Sequence, residues 1–267
     1  MATANGQGRL DQPRQFERLQ VEHFSCADEA KFLWQTRNAY LSTTERELLQ
    51  RVPVKAEDRL LEVGCGEGAN LELLEPAPAI AVGVDLSRAK VCWAARRPAR
   101  ARFACGDATR LPFRDACFDV ILCRDVLHHV ADKSMVIGEL LRVCRPLGRI
   151  VIIEPNGRSP VMWLLGLLVP AERELMRNSL GRLHPLLDSQ PVTPPEVIWA
   201  QPFPIGRVLF HYKWGLPRLS SWLAGAVLGG ERLAGKLIPY DRWAYLILKT
   251  MKRGPALSDR IELAREQ

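Results

Sequence analysis

Five short apolar runs punctuate the first half of the chain: Leu60–Val63, Ile80–Val84, Arg102–Ala104, Val120–Cys123 and Ile150–Ile153. Helix-like stretches follow the first, second and fourth of them, at Ala69–Leu74, Arg88–Arg96 and Ser134–Cys144. Strands rich in β-branched residues and lacking polar alternation are buried on both faces. Separated by helices, they belong to a parallel sheet covered on both sides. The pattern therefore predicts an α/β fold with a doubly wound, mostly parallel sheet. Arg207–Trp214 and Trp243–Lys249 read as two further strands flanking an apolar helical segment near Leu219–Leu237, which brings the sheet to seven.

Around this core the chain divides by composition. Residues 1–13 are polar and aperiodic and read as a disordered lead-in, and 254–267 read as a tail. Between them, 14–253 form one domain. Residues 14–52 supply an N-terminal helical lid, 58–155 the core, 156–204 an inserted cap, and 205–253 the last strands and helix. The cap assignment rests on eight Pro in 156–204, including Pro194-Pro195. Thr44-x-x-Glu47 before Leu48-Leu49 has the form of a capping box and predicts a helix start there.

Composition narrows the setting. Hydrophobic residues make up 47% and charged residues 25%, the balance of a soluble globular chain. The longest apolar run, Val161–Val169, falls well short of the roughly 20 residues that span a bilayer. The first residues lack the apolar centre of a secretory signal. Seven Cys contain no C-x-x-C pair, which argues against a zinc knuckle or a thioredoxin-like redox site and for a reduced, cytoplasmic setting. The net charge of +7 is uneven: residues 155–267 hold 15 Lys+Arg against 9 Asp+Glu, or +6. A basic half suits an anionic partner such as a membrane surface, and equally a solvated exterior.

The chemistry begins at Glu62-Val63-Gly64-Cys65-Gly66-Glu67-Gly68, a buried strand running into a Gly-rich turn and then a helix. Such a turn lets the backbone bend sharply and approach a ligand closely. Asp85 ends the second run about 20 residues on, where an acid binds ribose hydroxyls in Rossmann-like folds; its plain alternative is a helix cap. Gly64-x-Gly66-x-x-Ala69 also fits a dinucleotide fingerprint, which leaves a nicotinamide-dependent oxidoreductase open. Two residues favour another nucleoside cofactor. Glu62 at the strand end suits an ammonium group, and Asp107 after the third strand can accept from an adenine amino group.

Taken with Val84-Asp85-Leu86-Ser87, Gly106-Asp107-Ala108…Leu111-Pro112-Phe113, Phe118-Asp119-Val120-Ile121…Leu127-His128-His129 and Leu141-Arg142-Val143-Cys144-Arg145-Pro146-Leu147-Gly148, this stretch resembles the successive motifs of class I S-adenosylmethionine-dependent methyltransferases. The resemblance covers about residues 58–155. It implies a Rossmann-like sheet and S-adenosyl-L-methionine as cofactor. Gly64, Cys65 and Gly66 would cradle its methionine portion, with Glu62 near the amino group. Asp85 would hold the ribose, Leu86 would lie against the adenine, Asp107 and the Ala108 backbone would read the adenine edge, and Cys123 and Arg124 would line the site. Leu147 departs from the family's usual second Gly.

Methyl transfer from a sulfonium needs alignment and exclusion of water, and needs a base only where the acceptor must lose a proton. His128 and His129, just past the fourth strand, are the candidate catalytic pair, one serving as a base that is neutral near pH 7; packing is the plainer account. Asp125, His129 and Asp132 would share a face if that segment were helical, but capping and packing account for them better, so no metal is expected. Glu154 and Asn156 close the fifth strand as turn residues or acceptor ligands. His184 and His211 read as ordinary polar residues. The apolar segments Met162–Val169 and Trp222–Leu228 suit a small, largely apolar acceptor (lipid, isoprenoid or aromatic natural product), or a membrane-peripheral surface flanked by Arg218, Arg232, Lys236 and Arg242. Nucleic acid is disfavoured as a partner because no Lys/Arg stripe with interleaved aromatics is present; protein methylation and a non-catalytic cofactor-binding role stay open. Oligomeric state is not encoded in these patterns.

Overall fold

The five apolar runs of the first half become five strands of one seven-stranded sheet. The computed structural model describes residue 29 and residues 32–97, 100–211 and 221–254. The strands are β1 (Arg59–Val63), β2 (Ile80–Asp85), β3 (Ala101–Cys105), β4 (Phe118–Arg124), β5 (Cys144–Pro155), β6 (Glu196–Ala200) and β7 (Tyr245–Met251), in the spatial order β3-β2-β1-β4-β5-β7-β6. The pairings from β3 to β5 are parallel, while β7 is antiparallel to both β5 and β6. The strand order reverses between β1 and β4, and the carboxyl ends there form the crevice where ligands bind in open α/β sheets.

Side chains alternate across the sheet, and each face has its own core. Ile121 and Cys123 of β4 join Leu61, Ile150 and Ile152 on one face, packed against α4 residues Ile137 and Leu140. Val120 and Leu122 face the other way with Leu60, Val151 and Ile153, against Leu48, Leu49 and Met162. The helices carrying these layers are α1 (Ala39–Leu49), α2 (Ala69–Leu73), α3 (Arg88–Ala95), α4 (Lys133–Val143), α5 (Pro160–Leu168), α6 (Ile205–Leu209) and α7 (Ser221–Gly235). Among the described residues no helix is long and apolar enough to cross a membrane.

Three local expectations are corrected. The helix expected to start at Thr44 starts at Ala39, with Asn38 as its cap: the Asn38 side chain accepts from Leu41 N at 3.2 Å, and Thr44 sits mid-helix with its hydroxyl on Leu41 O at 2.9 Å. The strand expected over Arg207–Trp214 is, in its described part, the short helix α6 and the turn after it. The sixth strand lies instead at Glu196–Ala200, inside the stretch assigned to a cap; what precedes it is α5, a 3-10 turn over Pro170–Arg177 and two single helical turns. The expected lead-in 1–13, the helical segment around Phe16–Phe24 and the tail beyond Gly254 lie outside the described residues.

Candidate functional site

The Gly-rich turn leaves β1 in a backbone that β-carbons oppose. Gly64, Gly66 and Gly68 all have positive φ, at 78°, 53° and 84°. A Cβ on Gly64 would lie 2.2 Å from Val126 Cγ2, and one on Gly68 2.7 Å from the Phe103 ring. Gly66 differs: the nearest atom to a Cβ there is Lys90 Cδ at 3.9 Å, an ordinary contact distance, so its positive φ rather than crowding is what calls for glycine. Asp85 fixes the turn from the end of β2. Its Oδ2 accepts from Gly66 N and its Oδ1 from Ser87 N, both at 2.8 Å. The cap of α3 is Ser87, whose hydroxyl accepts from Lys90 N. Each Asp85 oxygen keeps acceptor capacity for a further donor. Leu86 stands beside it, 58% exposed. Asp107 is exposed at the end of β3, with Oδ1 holding Thr109 N and Oγ1 at 2.8 Å, and Ala108 follows half-buried. Cys65 is buried, its sulfur under Gly83.

Glu62 is fully buried at the end of β1. Its Oε1 accepts from Asn70 Nδ2 at 2.5 Å, whereas Oε2 has no hydrogen-bond partner among the described residues. Burial is the main reason its pKa is pushed up to about 7. Asn70 in turn accepts from Arg124 Nη1 at 2.9 Å. Arg124 continues into a buried ion cluster: it pairs with Glu45 of α1, which also pairs with Arg207 of α6. The Tyr245 ring lies 5.8 Å from the Arg124 guanidinium and 4.8 Å from that of Arg207. Burial raises the Glu45 pKa, but the two guanidinium groups outweigh it and hold the carboxyl below its ordinary range. Cys123 and Arg124, expected to line the site from the fourth strand, are both buried. Cys123 belongs to the sheet core and Arg124 is committed to Glu45 and Asn70, so any contact to a ligand from this strand end falls to the backbone.

The N-terminal segment closes over the turn. Leu33 N donates to Glu67 Oε1 at 3.1 Å, and Phe32 packs edge-on against Trp93 of α3, centroids 5.1 Å apart. Tyr40 donates to Glu231 of α7, whose carboxylate also takes Gly206 N at 2.7 Å. Glu45, Asn70, Arg207, Glu231 and Tyr245 carry no motif; only partners brought from elsewhere in the chain give them a role.

A second buried cluster follows β4. Glu154 accepts from Val126 N at 2.8 Å, Leu127 N at 2.7 Å, His128 N at 3.3 Å and Asn178 Nδ2 at 2.8 Å, and its Oε2 lies 2.8 Å from His128 Nδ1. His128 Nε2 faces Glu172 at 3.3 Å. Burial pulls the His128 pKa down, but Glu154 and then Glu172 outweigh it and hold it at about 10. With a carboxylate against each ring nitrogen, His128 favours the charged form, unlike the neutral ring that a base near pH 7 would present. Asp125, His129 and Asp132 do not share a helical face: Asp125 has φ 52°, Leu127–His129 is a 3-10 turn, and Asp132 caps α4, the capping role preferred for it. Asn156 Nδ2 donates to Asp241 O and Trp243 O, a structural turn. His184 pairs with Asp188, and His211 is buried.

Residues 61–152 match the family model described as "Methyltransferase domain". The chain is 35% identical over 130 residues to 27-O-demethylrifamycin SV methyltransferase of Amycolatopsis mediterranei, covering 45% of this chain and 48% of that protein. It is 37% identical over 146 residues to demethylmenaquinone methyltransferase of Mycolicibacterium gilvum, covering 55% and 60%. The chain thus spans about half the length of such curated relatives. Among solved structures, phosphoethanolamine N-methyltransferase 2 of Haemonchus contortus superposes with TM-score 0.63 at 19% identity, over 89% of this chain and 60% of that one, a likeness of fold. With strand order, Gly-rich turn and motif positions in agreement, residues 61–152 form a methyltransferase domain of the class I S-adenosylmethionine-dependent family.

Proposed function

We propose that the chain binds S-adenosyl-L-methionine over the Gly-rich turn and transfers its methyl group to a small, largely apolar acceptor. The observation that carries the cofactor reading is Glu62 Oε2, a buried carboxylate oxygen with no hydrogen-bond partner among the described residues, on the strand that runs into the Gly-rich turn. An unpaired buried anion is costly, and a ligand ammonium would satisfy it. Asp85 would take the ribose diol on the lone pairs its backbone contacts leave. Leu86 would cover the adenine, and Asp107 with the Ala108 backbone would meet its edge. When bound, the cofactor supplies an activated methyl group; the residues of this chain bind it, hold the acceptor in line and exclude water. The closed N-terminal segment, tied at Leu33 and Phe32, supports the last of these roles.

The acceptor class rests on different support. The relatives reported above are named for a demethylrifamycin and a demethylmenaquinone, small organic molecules. Trp163 and Leu167 of α5 and Trp222 and Leu233 of α7 are exposed, with Leu237 just beyond α7 87% exposed. Exposed apolar residues next to the basic Arg232 and Lys236 suit a lipid-like acceptor or a membrane-peripheral surface.

Calorimetric titration with S-adenosylmethionine, its demethylated product and NADH tests the cofactor. The expected result is binding of the first two and none of NADH, with Asp85→Ala weakening binding by about 1.5–3 kcal/mol as charge-assisted hydrogen bonds are lost. NADH binding alone would replace this reading with an oxidoreductase, and unchanged affinity in the variant would remove Asp85 from the ribose.

A pH dependence follows from Glu62. Below about pH 7 its carboxyl is protonated and offers an ammonium no charge. Affinity for S-adenosylmethionine is expected to fall by about tenfold per pH unit on the acid side of 7 and to level off above it. Glu62→Gln should flatten that profile; a wild-type profile flat from pH 5.5 to 8 would exclude the pairing. In the ligand-free protein the same raised pKa works oppositely on stability: its contribution is full below the ordinary Glu range and is lost as pH rises through about 7.

A further inference from the structure

His128, His129 and Glu172 each offer one ligand atom, and these atoms lie within 4.8 Å of one another. We propose that they form a divalent transition-metal site at the carboxyl edge of the sheet. Two imidazole nitrogens and one carboxylate make the two-His, one-carboxylate set that binds ions such as Zn²⁺, Co²⁺ or Fe²⁺ and leaves coordination positions open.

Three observations favour a site over a simple ion-pair cluster. First, both imidazoles aim at the same atom: Glu172 Oε2 is 3.3 Å from His128 Nε2 and 3.9 Å from His129 Nε2. Metal bonds of about 2.1 Å put tetrahedral ligand atoms roughly 3.4 Å apart, so little movement brings the three together. Second, His128 is oriented from behind. Its Nδ1 is held at 2.8 Å by Glu154, a carboxylate itself fixed by two backbone amides and Asn178, which leaves Nε2 directed at the cluster. A carboxylate behind an imidazole is the usual support of a metal-ligating His. Third, the cluster is reachable: the side chains of His129 and Glu172 are 15% and 21% exposed. An ion would take the position of the proton on His128 Nε2, which leaves to solvent, while the Nδ1 proton stays on the imidazole and is donated to Glu154.

The position suggests what the ion would do. The cluster follows β4 at the switch point, and Val126 of the same segment packs against Gly64 of the Gly-rich turn. An open coordination position there would take an oxygen of the acceptor, such as a phenolate, enolate or carboxylate, and polarise it. That second step rests on the methyltransferase reading; ion binding does not.

The test uses the full chain, stripped with a chelator and titrated with Co²⁺ and Zn²⁺ in the absence of cofactor. One Co²⁺ per chain is expected, with visible absorption stronger than that of the hydrated ion and displaced by Zn²⁺. His129→Ala and Glu172→Gln should each weaken binding by at least tenfold while melting cooperatively. His184→Ala, which removes a half-buried His paired with Asp188, should leave it unchanged. Absence of a stoichiometric Co²⁺ spectrum, or one that survives in both cluster variants, overturns the site; loss of the spectrum in His184→Ala alone would place the ion elsewhere. S-adenosylmethionine titrations on the same samples report separately on the cofactor.

Discussion

Replacing Glu45 by Ala is expected to destabilise the fold by about 3–5 kcal/mol, because it strands two guanidinium groups in the interior. Arg124 and Arg207 are both buried, and each pairs with this one carboxylate. What remains near them is weaker: Asn70 and Asp125 for Arg124, Gln201 for Arg207, and the Tyr245 ring for both. Urea unfolding of wild type, Glu45→Ala and Glu45→Gln would measure it. Gln keeps an acceptor oxygen but not the charge, and should fall between the other two. A loss under about 1 kcal/mol in the Ala variant would mean that the two Arg find other partners or water. The effect carries a pH signature. Since the folded pKa of Glu45 lies below its unfolded value, its contribution is present above the ordinary Glu range and fades as pH falls through the folded pKa. Wild type and variant should therefore converge in acid.

Glu154→Ala is the second large effect, also expected at about 3–5 kcal/mol. Its carboxylate collects the backbone amides of Val126, Leu127 and His128, the Asn178 side chain and the His128 ring. Removing it leaves buried donors unmatched and His128 with Glu172 as its one remaining carboxylate, and each unsatisfied buried group costs about 1–3 kcal/mol. Thermal melting reads the total. Hydrogen exchange gives the local evidence: the amides of 126–128 should lose protection more than those of β1, whose bonds lie within the sheet. Equal protection in wild type and variant would show that the turn after β4 holds itself without Glu154.

The parallel half of the fold could be read before any coordinate was seen, because its strands are buried on both faces. Leu60–Val63 or Ile150–Ile153 has no polar residue out of phase with that burial except Glu62, and Glu62 is a site residue. The antiparallel edge was less legible. Arg207-Val208-Leu209-Phe210 has a strand's composition, yet it forms a five-residue helix whose Arg207 reaches Glu45 across 162 positions of sequence. Glu196–Ala200 hides behind Pro194-Pro195 and is only half-buried. Thr44-x-x-Glu47 matched a capping box, but the cap is Asn38, six residues earlier. The same logic divides the site. Gly64, Gly66, Asp85 and Asp107 announce themselves by position after strands. Glu172, Asn70 and Arg207 depend on contacts from distant segments, and a lone sequence carries no local trace of those.

The place of β7 has a consequence for how the chain must assemble. Because Tyr245–Met251 lies between β5 and β6, the edge strand at 196–200 has no sheet neighbour until the C-terminal residues arrive. A chain emerging from the ribosome can complete the cofactor half, β3 to β5, with its own parallel ladders. It must keep one edge of β5 unpaired and β6 detached while some 45 further residues are made. The half of the molecule with the Gly-rich turn is thus the early-forming unit. The half that would shape the acceptor closes last, in a single step, when β7 inserts.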